Sequence, residues 1–341
     1  MDKVLRILDA NFNRAREGFR TVEDGIRFVL EDKFLTEKLK KIRHSFSTIF
    51  IKNFPSILLK KSRYVEKDIG KGFDKTGKFS YKEIIEKNLS RTSEALRSLE
   101  EFTKTINPKI SKIFHDIRFN FYQIEKEIVI KLNKKKIPVP SFYAIINLEE
   151  KSDIFSFSEK VIKGKPDILQ LRYKGENSEY FLKTALKIKE MLPKDIIFII
   201  NDRIDICILC DADGIHLGRK DIPVEMAKKI IPEKIIGTSC SNYSDIKKFS
   251  KIGVDYIAVG SIYPSPTKPE KKVIGVSFLT AIKKHINIPI IAIGGINTKN
   301  VKEVMEKGVD GIAVISTIKN SKNPIKTVSQ FKKLVKKYGR K

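Results

Sequence analysis

No apolar run in the 341 residues approaches the ~18 needed to span a bilayer. The first residues, MDKVLRILDANFNRAREG, are charged throughout and lack the apolar core of a signal peptide. A soluble cytoplasmic protein with no membrane partner is expected. Cysteine is scarce: Cys207, Cys210 and Cys240 are an odd, low count that argues against a disulfide framework. Cys207 and Cys210 form a C-x-x-C, but inside the mostly apolar run from Ile204 to Cys210. A helix there would bury both, whereas a redox pair sits at an exposed helix N-terminus. Glycine and proline are modest, which excludes a collagen-like or wholly disordered chain. There is no G-x-x-x-x-G-K-[ST] loop, and no G-x-G-x-x-G opens the first β/α unit described below.

What the chain has in excess is positive charge, a formal +27. The lysines are spread over its whole length, with no clustered basic stripe interleaved with aromatics, so no nucleic-acid partner is expected. Small anionic substrates would be drawn to such a field.

The composition divides the chain into a helical part, 1–130, a linker, 131–140, and a β/α part, 141–341. The linker KLNKKKIPVP passes from lysines to two prolines. The first part contains a repeat. Asn11, Arg14, Glu17, Arg20 and Glu23 recur as Asn88, Arg91, Glu94, Arg97 and Glu100 in the frame N-x-x-R-x-x-E-x-x-R-x-x-E. A second echo follows each copy, Ile42-Arg43-His44-Ser45-Phe46 and Ile117-Arg118-Phe119-Asn120-Phe121. Two helical hairpins paired by a pseudo-twofold into an all-α bundle are expected. Val4, Ile7, Leu8, Phe12, Ala15, Phe19, Val22, Ile26 and Val29 keep helical spacing and would form the buried stripe. The polar, glycine-rich stretch 63–72 between the halves is not expected to be helical.

The second part offers eight short β-branched runs: 142–147, 168–172, 196–201, 214–216, 235–239, 256–259, 290–293 and 311–314. Such runs suit strands buried on both faces. Amphipathic segments lie between most of them. Eight units in about 200 residues predict an α/β fold, a (β/α)8 TIM barrel preceded by the all-α domain. A doubly wound open sheet is the alternative.

Catalytic groups in a barrel of this kind stand at the C-terminal strand ends. The second strand ends Gln170-Leu171-Arg172-Tyr173-Lys174, where alternation puts Gln170, Arg172 and Lys174 on one side. Two cations there can grip an anion, or simply be a solvated strand end. Asn201-Asp202 ends the third strand and Asp221 follows the fourth. Two carboxylates with few other protein ligands suit Mg2+; Asp202 could equally cap a helix. His216 lacks partners at metal-ligand spacing and is expected to hydrogen-bond within the strand-end core. The loop after the sixth strand carries Ser265, Thr267 and Lys268. Gly294-Gly295 after the seventh strand and Ser316 after the eighth form a recurrent phosphate-binding arrangement, helped by a helix N-terminus. The residues alone thus imply two anionic groups, one near Arg172, Lys174 and a metal, the other near Gly295 and Ser316.

Several stretches together resemble thiamine phosphate synthases in order and spacing. They are Gln170-x-Arg172-x-Lys174, Asn201-Asp202, Asp213 to Gly218 with Asp221, Gly260-x-Ile262-Tyr263-Pro264-x-x-Thr267-Lys268, and Ile293 to Ile296. The resemblance covers about 200 residues. It implies joining of hydroxymethylpyrimidine diphosphate to a thiazole phosphate, with release of diphosphate. It assigns Gln170, Leu171, Arg172, Tyr173, Lys174 and Asn201 to the pyrimidine diphosphate, Asp202 and Asp221 to Mg2+, and Ser239 to the pyrimidine. Ser265, Pro266 and Thr267 would line the thiazole site, and Lys268 would reach the diphosphate. Gly295, Ile315 and Ser316 would hold the thiazole phosphate. Arg172, Lys268 and Ser239 carry the catalytic roles. One departure is Cys240-Ser241, where the family often has a histidine nearby.

The helical part resembles a hydroxymethylpyrimidine phosphate kinase, which implies ATP as co-substrate and a site at Asn11, Arg14, Glu17, Arg20, Asp68 and Gly70. A plainer alternative makes its N-x-x-R-x-x-E stripes inter-helix salt bridges in a dimerisation or regulatory domain of a monofunctional synthase. A homo-oligomer is compatible with either. A barrel isomerase acting on a phosphosugar would want an acid/base pair at the mouth, and only Asp202 and Asp221 are candidates.

Overall fold

The computed structural model describes residues 2–55, 57, 59, 77–149, 153–265 and 272–339. The chain divides into two compact units, Met1–Asn133 and Lys134–Lys341.

The first unit is helical. Its described elements are α1 (Asp2–Gly25), continued by a π-helical turn (Ile26–Leu30), then α2 (Lys33–Asn53), α3 (Tyr81–Thr103) and α4 (Pro108–Asn133). Local chemistry sets two of the starts. Asp32 accepts the Leu35 N–H at the head of α2, and Ser80 with Glu83 forms a capping box at the head of α3. Helix α1 lies against α3. A Cβ on Gly18 would meet Thr92, and one on Gly25 would meet Ile85. Seven residues forward on one helix match seven back on the other, so the two run antiparallel at close approach. Phenylalanines fill the core: Phe12 stacks on Phe50 at 3.9 Å between ring centroids, and Phe19 meets Phe121 edge-on at 5.1 Å.

The expected buried stripe holds from Leu8 to Ile26 but fails at Val29, which is 40% exposed. The π-helical turn is the reason. Its wider winding turns each residue less than 100° about the axis, so Leu30 rather than Val29 packs on the core. The 63–72 stretch lies outside the described residues.

The second unit is a closed barrel of eight parallel strands in sequence order. The strands are β1 (Ser141–Leu148), β2 (Ile168–Tyr173), β3 (Ile197–Asn201), β4 (Gly214–Leu217), β5 (Ile235–Cys240), β6 (Tyr256–Val259), β7 (Ile290–Ile293) and β8 (Gly311–Val314). Between and after them lie α5 (Ile154–Lys163), α6 (Ser178–Met191), α7 (Ile204–Leu209), α8 (Val224–Ile230), α9 (Tyr243–Ile252), α10 (Ser277–Lys283), α11 (Val301–Glu306), α12 (Ser316–Lys319) and α13 (Pro324–Tyr338). Closure comes from β1 pairing with β8, Tyr143 opposite Ala313. The fold is therefore a (β/α)8 barrel, and the open-sheet alternative is excluded.

Pleating sorts the side chains into two cores. Phe142, Ala144, Leu169, Leu171 and Phe198 pack outward under the helices. Tyr143, Ile145, Ile168, Ile197, Ile199, Ile235, Tyr256 and Ile291 fill the lumen. Gly237 makes room there, since a Cβ would lie 2.0 Å from the Tyr256 ring.

The foot of the barrel carries a pattern not anticipated from the sequence. An aspartate precedes each even strand: Asp167, Asp213, Asp255 and Asp310. Each reaches back to the neighbouring odd strand and accepts a backbone N–H, from Phe142, Phe198, Ile236 and Ile290 respectively, at 2.8–2.9 Å. Each also meets a lysine. Odd and even strands are thus clamped in pairs, four times around the ring. The 131–140 stretch, expected as a linker, is divided. Lys131–Asn133 complete α4, while Lys134 and Lys135 pair with Asp255 and Asp213 at 2.8 and 3.0 Å and Ile137 packs into the lumen cluster. Apolar contact and clamped charge hold this segment to the barrel foot.

Candidate active site

The C-terminal strand ends surround a pocket that opens to solvent, about 730 Å³ with its open mouth included. Its wall includes Gln170, Arg172, Asn201, His216, Ser239, Ser265, Gly294 and Ile315. Strand alternation explains the set. On β2, Gln170 and Arg172 point inward, whereas Leu171 and Tyr173 are buried under the helices. Of those expected at the pyrimidine diphosphate, these two side chains are turned away, so only their main chain faces the pocket side.

Arg172 donates from Nη1 to Asn147 Oδ1 at 3.0 Å. Burial lowers its pKa, against the pull of the Asp202 carboxylate. Asn201 is buried, and its Nδ2 has no hydrogen-bond partner among the described residues. A buried donor without an acceptor costs free energy, so this amide is suited to an anionic ligand. Lys174 is exposed and pairs with Asp202.

Asp202 has φ 65°, the left-handed region that few non-glycine residues adopt. It does not cap α7, whose N-cap is Arg203. Its carboxylate instead lies beside Asp221. Burial and then the Asp202 neighbour raise the Asp221 pKa, although the Gly218 N–H donates to Asp221 Oδ2 at 2.6 Å. Two adjacent carboxylates, one pushed toward protonation, fit a hard divalent cation. Among the described residues no group of three or more His, Cys, Asp or Glu forms a metal cluster. This donor set matches Mg2+, which keeps waters and substrate oxygens as ligands.

On the opposite wall, Gly294 and Gly295 have φ 103° and 64°. A Cβ on either would strike the β6 loop, at Ser261 or at Pro264 and Tyr263. Their first requirement is therefore the docking of that loop. Ser316 opens α12, a single turn that presents N–H groups but little macrodipole. Pro266, Thr267 and Lys268 lie outside the described residues, as do Asp68 and Gly70.

Sequence reasoning missed Tyr143, Tyr256 and Asn147. Aromatic residues in β-branched runs carry no signal that separates a lumen hydroxyl from ordinary core. His216 does bond within the strand-end core, to Tyr256 and Ser239. The C-x-x-C is buried, and burial pushes the Cys207 and Cys210 thiols up to about 12 and about 11, against redox chemistry.

In the helical unit Asn11 is buried and donates to the Ile7 carbonyl at 2.9 Å. Arg14, Glu17 and Arg20 are exposed, with no ion pair among the described residues. Inter-helix ion pairs do occur, at the end of each repeat, Glu23 with Arg43 and Glu100 with Arg118, and outside the repeats, Lys38 with Glu127.

A closed β/α barrel with cations, an orphaned amide and paired carboxylates on one wall and a glycine turn on the other defines an enzyme class that handles phosphorylated small molecules. Residues 142–318 match the thiamine monophosphate synthase family, and residues 6–127 match the ThiD2 family. A thiamine-phosphate synthase of Prochlorococcus marinus subsp. pastoris is 36% identical over 94% of this chain and 92% of its own. One of Synechocystis sp. is 32% identical over 96% and 95%. A solved thiamine phosphate pyrophosphorylase from Pyrococcus furiosus superposes with a TM-score of 0.55 at 32% identity, over 58% of this chain and 96% of that one. The chain belongs to the thiamine monophosphate synthase family, enzymes of thiamine biosynthesis. No helix among the described residues is long and apolar enough to cross a membrane.

Proposed function

We propose that the barrel joins hydroxymethylpyrimidine diphosphate to a thiazole phosphate, giving thiamine phosphate and diphosphate. The observation that carries this reading is the Asp202–Asp221 pair beside Arg172, Lys174 and the unpartnered Asn201 amide. Asp202 and Asp221 would hold Mg2+, which would supply Lewis-acid charge to the leaving diphosphate. Arg172, Lys174 and Asn201 grip the same anion, and Lys268, which lies outside the described residues, is assigned to it as well. Gln170 and Ser239 face the pyrimidine. Ser265, Pro266 and Thr267 line the thiazole side, and Gly295, Ile315 and Ser316 hold its phosphate.

The C–O bond to the diphosphate breaks, and the electron pair leaves with the diphosphate. The aminopyrimidine ring delocalises the methylene cation. The thiazole nitrogen, anchored nearby, gives its lone pair to form the C–N bond. No side chain gains or loses a proton, so a reaction of this kind requires no nucleophile or strong base.

The helical unit supplies the diphosphate. It moves the γ-phosphoryl group of ATP to a phosphate oxygen of hydroxymethylpyrimidine phosphate and releases ADP. Asn11, Arg14, Glu17, Arg20, Asp68 and Gly70 are assigned to that site. The ThiD2 match and the exposed Arg14 and Arg20, which have no ion pair among the described residues, support this.

The test uses the full chain with Mg2+, ATP, hydroxymethylpyrimidine phosphate and thiazole phosphate, read by mass spectrometry. Asp202→Ala is expected to accumulate the pyrimidine diphosphate and to form thiamine phosphate at least ~100-fold more slowly. Arg14→Ala is expected to lose the intermediate yet still join supplied diphosphate. A fully active Asp202→Ala removes the metal assignment. Wild-type protein that joins supplied diphosphate but never makes it is a monofunctional synthase with a helical accessory domain.

A further inference from the structure

Five side chains from five strands form one hydrogen-bonded chain through the barrel lumen. Gln170 Nε2 on β2 donates to Tyr143 Oη on β1 at 2.8 Å. The Tyr143 and Tyr256 hydroxyls meet at 2.8 Å. Tyr256 Oη on β6 lies 3.0 Å from His216 Nδ1 on β4, and His216 Nε2 lies 2.9 Å from Ser239 Oγ on β5. Both tyrosine side chains are fully buried, among Ile145, Ile168, Ile197, Ile199 and Ile235. Polar groups in such surroundings are costly unless every donor and acceptor is matched. Leucine or isoleucine would fill the space without that demand, so a matched chain ending at the pocket wall invites a functional account.

The direction of donation follows from hydroxyl chemistry. A tyrosine hydroxyl carries one proton, and a buried proton without an acceptor is costly, so a buried hydroxyl that accepts from one neighbour is best satisfied by donating to the other. With Gln170 Nε2 donating to Tyr143, matching every buried proton has Tyr143 donate to Tyr256 and Tyr256 donate to His216 Nδ1. A neutral imidazole that accepts at Nδ1 carries its proton on Nε2. That N–H donates to Ser239 Oγ, and the serine's own proton is left to point into the pocket that Ser239 lines.

We infer that this chain fixes the polarity of Ser239. It makes the hydroxyl a donor to an acceptor atom of the bound ligand, such as an aromatic ring nitrogen, and disfavours a ligand that presents N–H there. Tyr143, Tyr256 and His216 are positioning residues that act through Ser239. The inference rests on the reading that the pyrimidine sits against Ser239, and deepens it by assigning the kind of atom that faces the serine.

The test is made on the full-length chain labelled with 15N-histidine. His44, His115, His216 and His285 are the only histidines, so single substitutions assign the spectra. Long-range 15N–1H correlations of the ligand-free wild type should show His216 neutral and protonated at Nε2. Tyr256→Phe removes the donor at Nδ1. It should give a mixture of tautomers and raise KM for the pyrimidine diphosphate ~10-fold, the effect of one hydrogen bond, with kcat changed less than ~3-fold. Loss of packing alone would lower the melting temperature without moving the tautomer. Should Tyr256→Phe fold poorly, Tyr143→Phe frees Tyr256 to rotate and is expected to shift the same signals. Protonation at Nδ1 in the wild type overturns the inference, as does an unchanged tautomer and KM in both variants. A wild type that shows the expected tautomer yet forms no thiamine phosphate leaves the relay standing and removes the proposed reaction.

Discussion

Arg118 Nε donates to Glu100 Oε2 at 2.6 Å, and Arg43 Nε donates to Glu23 Oε2 at 2.7 Å. Glu23 and Glu100 hold the same place in the two repeats, and Arg43 and Arg118 the same place in the two echoes. Each half of the helical unit therefore ties its own hairpin with the same pair. The halves have diverged in burial. Side-chain exposure is 8% and 5% for Arg118 and Glu100, against 16% and 13% for Arg43 and Glu23.

The difference predicts unequal costs. Burial opposes charge on Glu100, but its bonds to Arg118 and His115 more than offset this and lower its pKa. Arg118→Ala leaves that carboxylate in the core without its main partner and should destabilise the helical unit by about 3 kcal/mol. Arg43→Ala, nearer water, should cost about 1 kcal/mol. Scanning calorimetry of the full chain measures both. Because the Glu100 pKa is lowered on folding, the wild-type advantage should be complete above the unfolded carboxylate value and be lost as the pH falls from there through the lower folded value. Equal losses in the two variants would contradict the ranking.

Much of the barrel could be read from local pattern. The strands 256–259, 290–293 and 311–314 form as their β-branched runs predict, because strands buried on both faces need continuous apolar sequence. Other ends differ by one residue, as at Ile197, because inter-strand bonds rather than composition set them. What stayed hidden is tertiary. The Val29 exposure depends on a change of helix type, and the Asp213 bond to the Phe198 amide joins residues 15 apart through strand pairing. Of the site, Gln170, Arg172 and Asn201 were visible because strand alternation aims them. Tyr143 and Tyr256 were not, since a hydroxyl on a core aromatic becomes informative only when its partner is known.

The aspartate clamps should matter more to stability than exposed ion pairs do. Asp213 accepts the Phe198 N–H at 2.8 Å and sits 3.0 Å from Lys135. Asp213→Ala removes a charge-assisted bond and strands a backbone donor, at a cost of about 2 kcal/mol. Asp205→Ala, which deletes an exposed pair with Arg203, should cost under about 1 kcal/mol. Chemical unfolding of the two variants compares them directly. Neither residue lines the pocket, so turnover in the folded fraction should match wild type.

Asp221 is where stability and chemistry pull apart. Its pKa is raised on folding, by burial and by Asp202. An acid with a raised folded pKa binds protons more readily in the native state, so this group's contribution falls as the pH rises from 3.8, its ordinary value, through the folded value. Above that, the ionised pair costs stability unless a cation is present. Asp221→Asn should therefore raise the melting temperature of metal-free protein at neutral pH, while keeping an oxygen for the Gly218 N–H. Millimolar Mg2+ should raise the melting temperature of the wild type and have much less effect on the variant. Synthase activity should fall at least ~100-fold in the same variant. A wild type indifferent to Mg2+ both in stability and in turnover would mean that the two carboxylates are adjacent for another reason. Lys174, already paired with Asp202, and the neighbouring Arg172 would then be the cations beside them among the described residues.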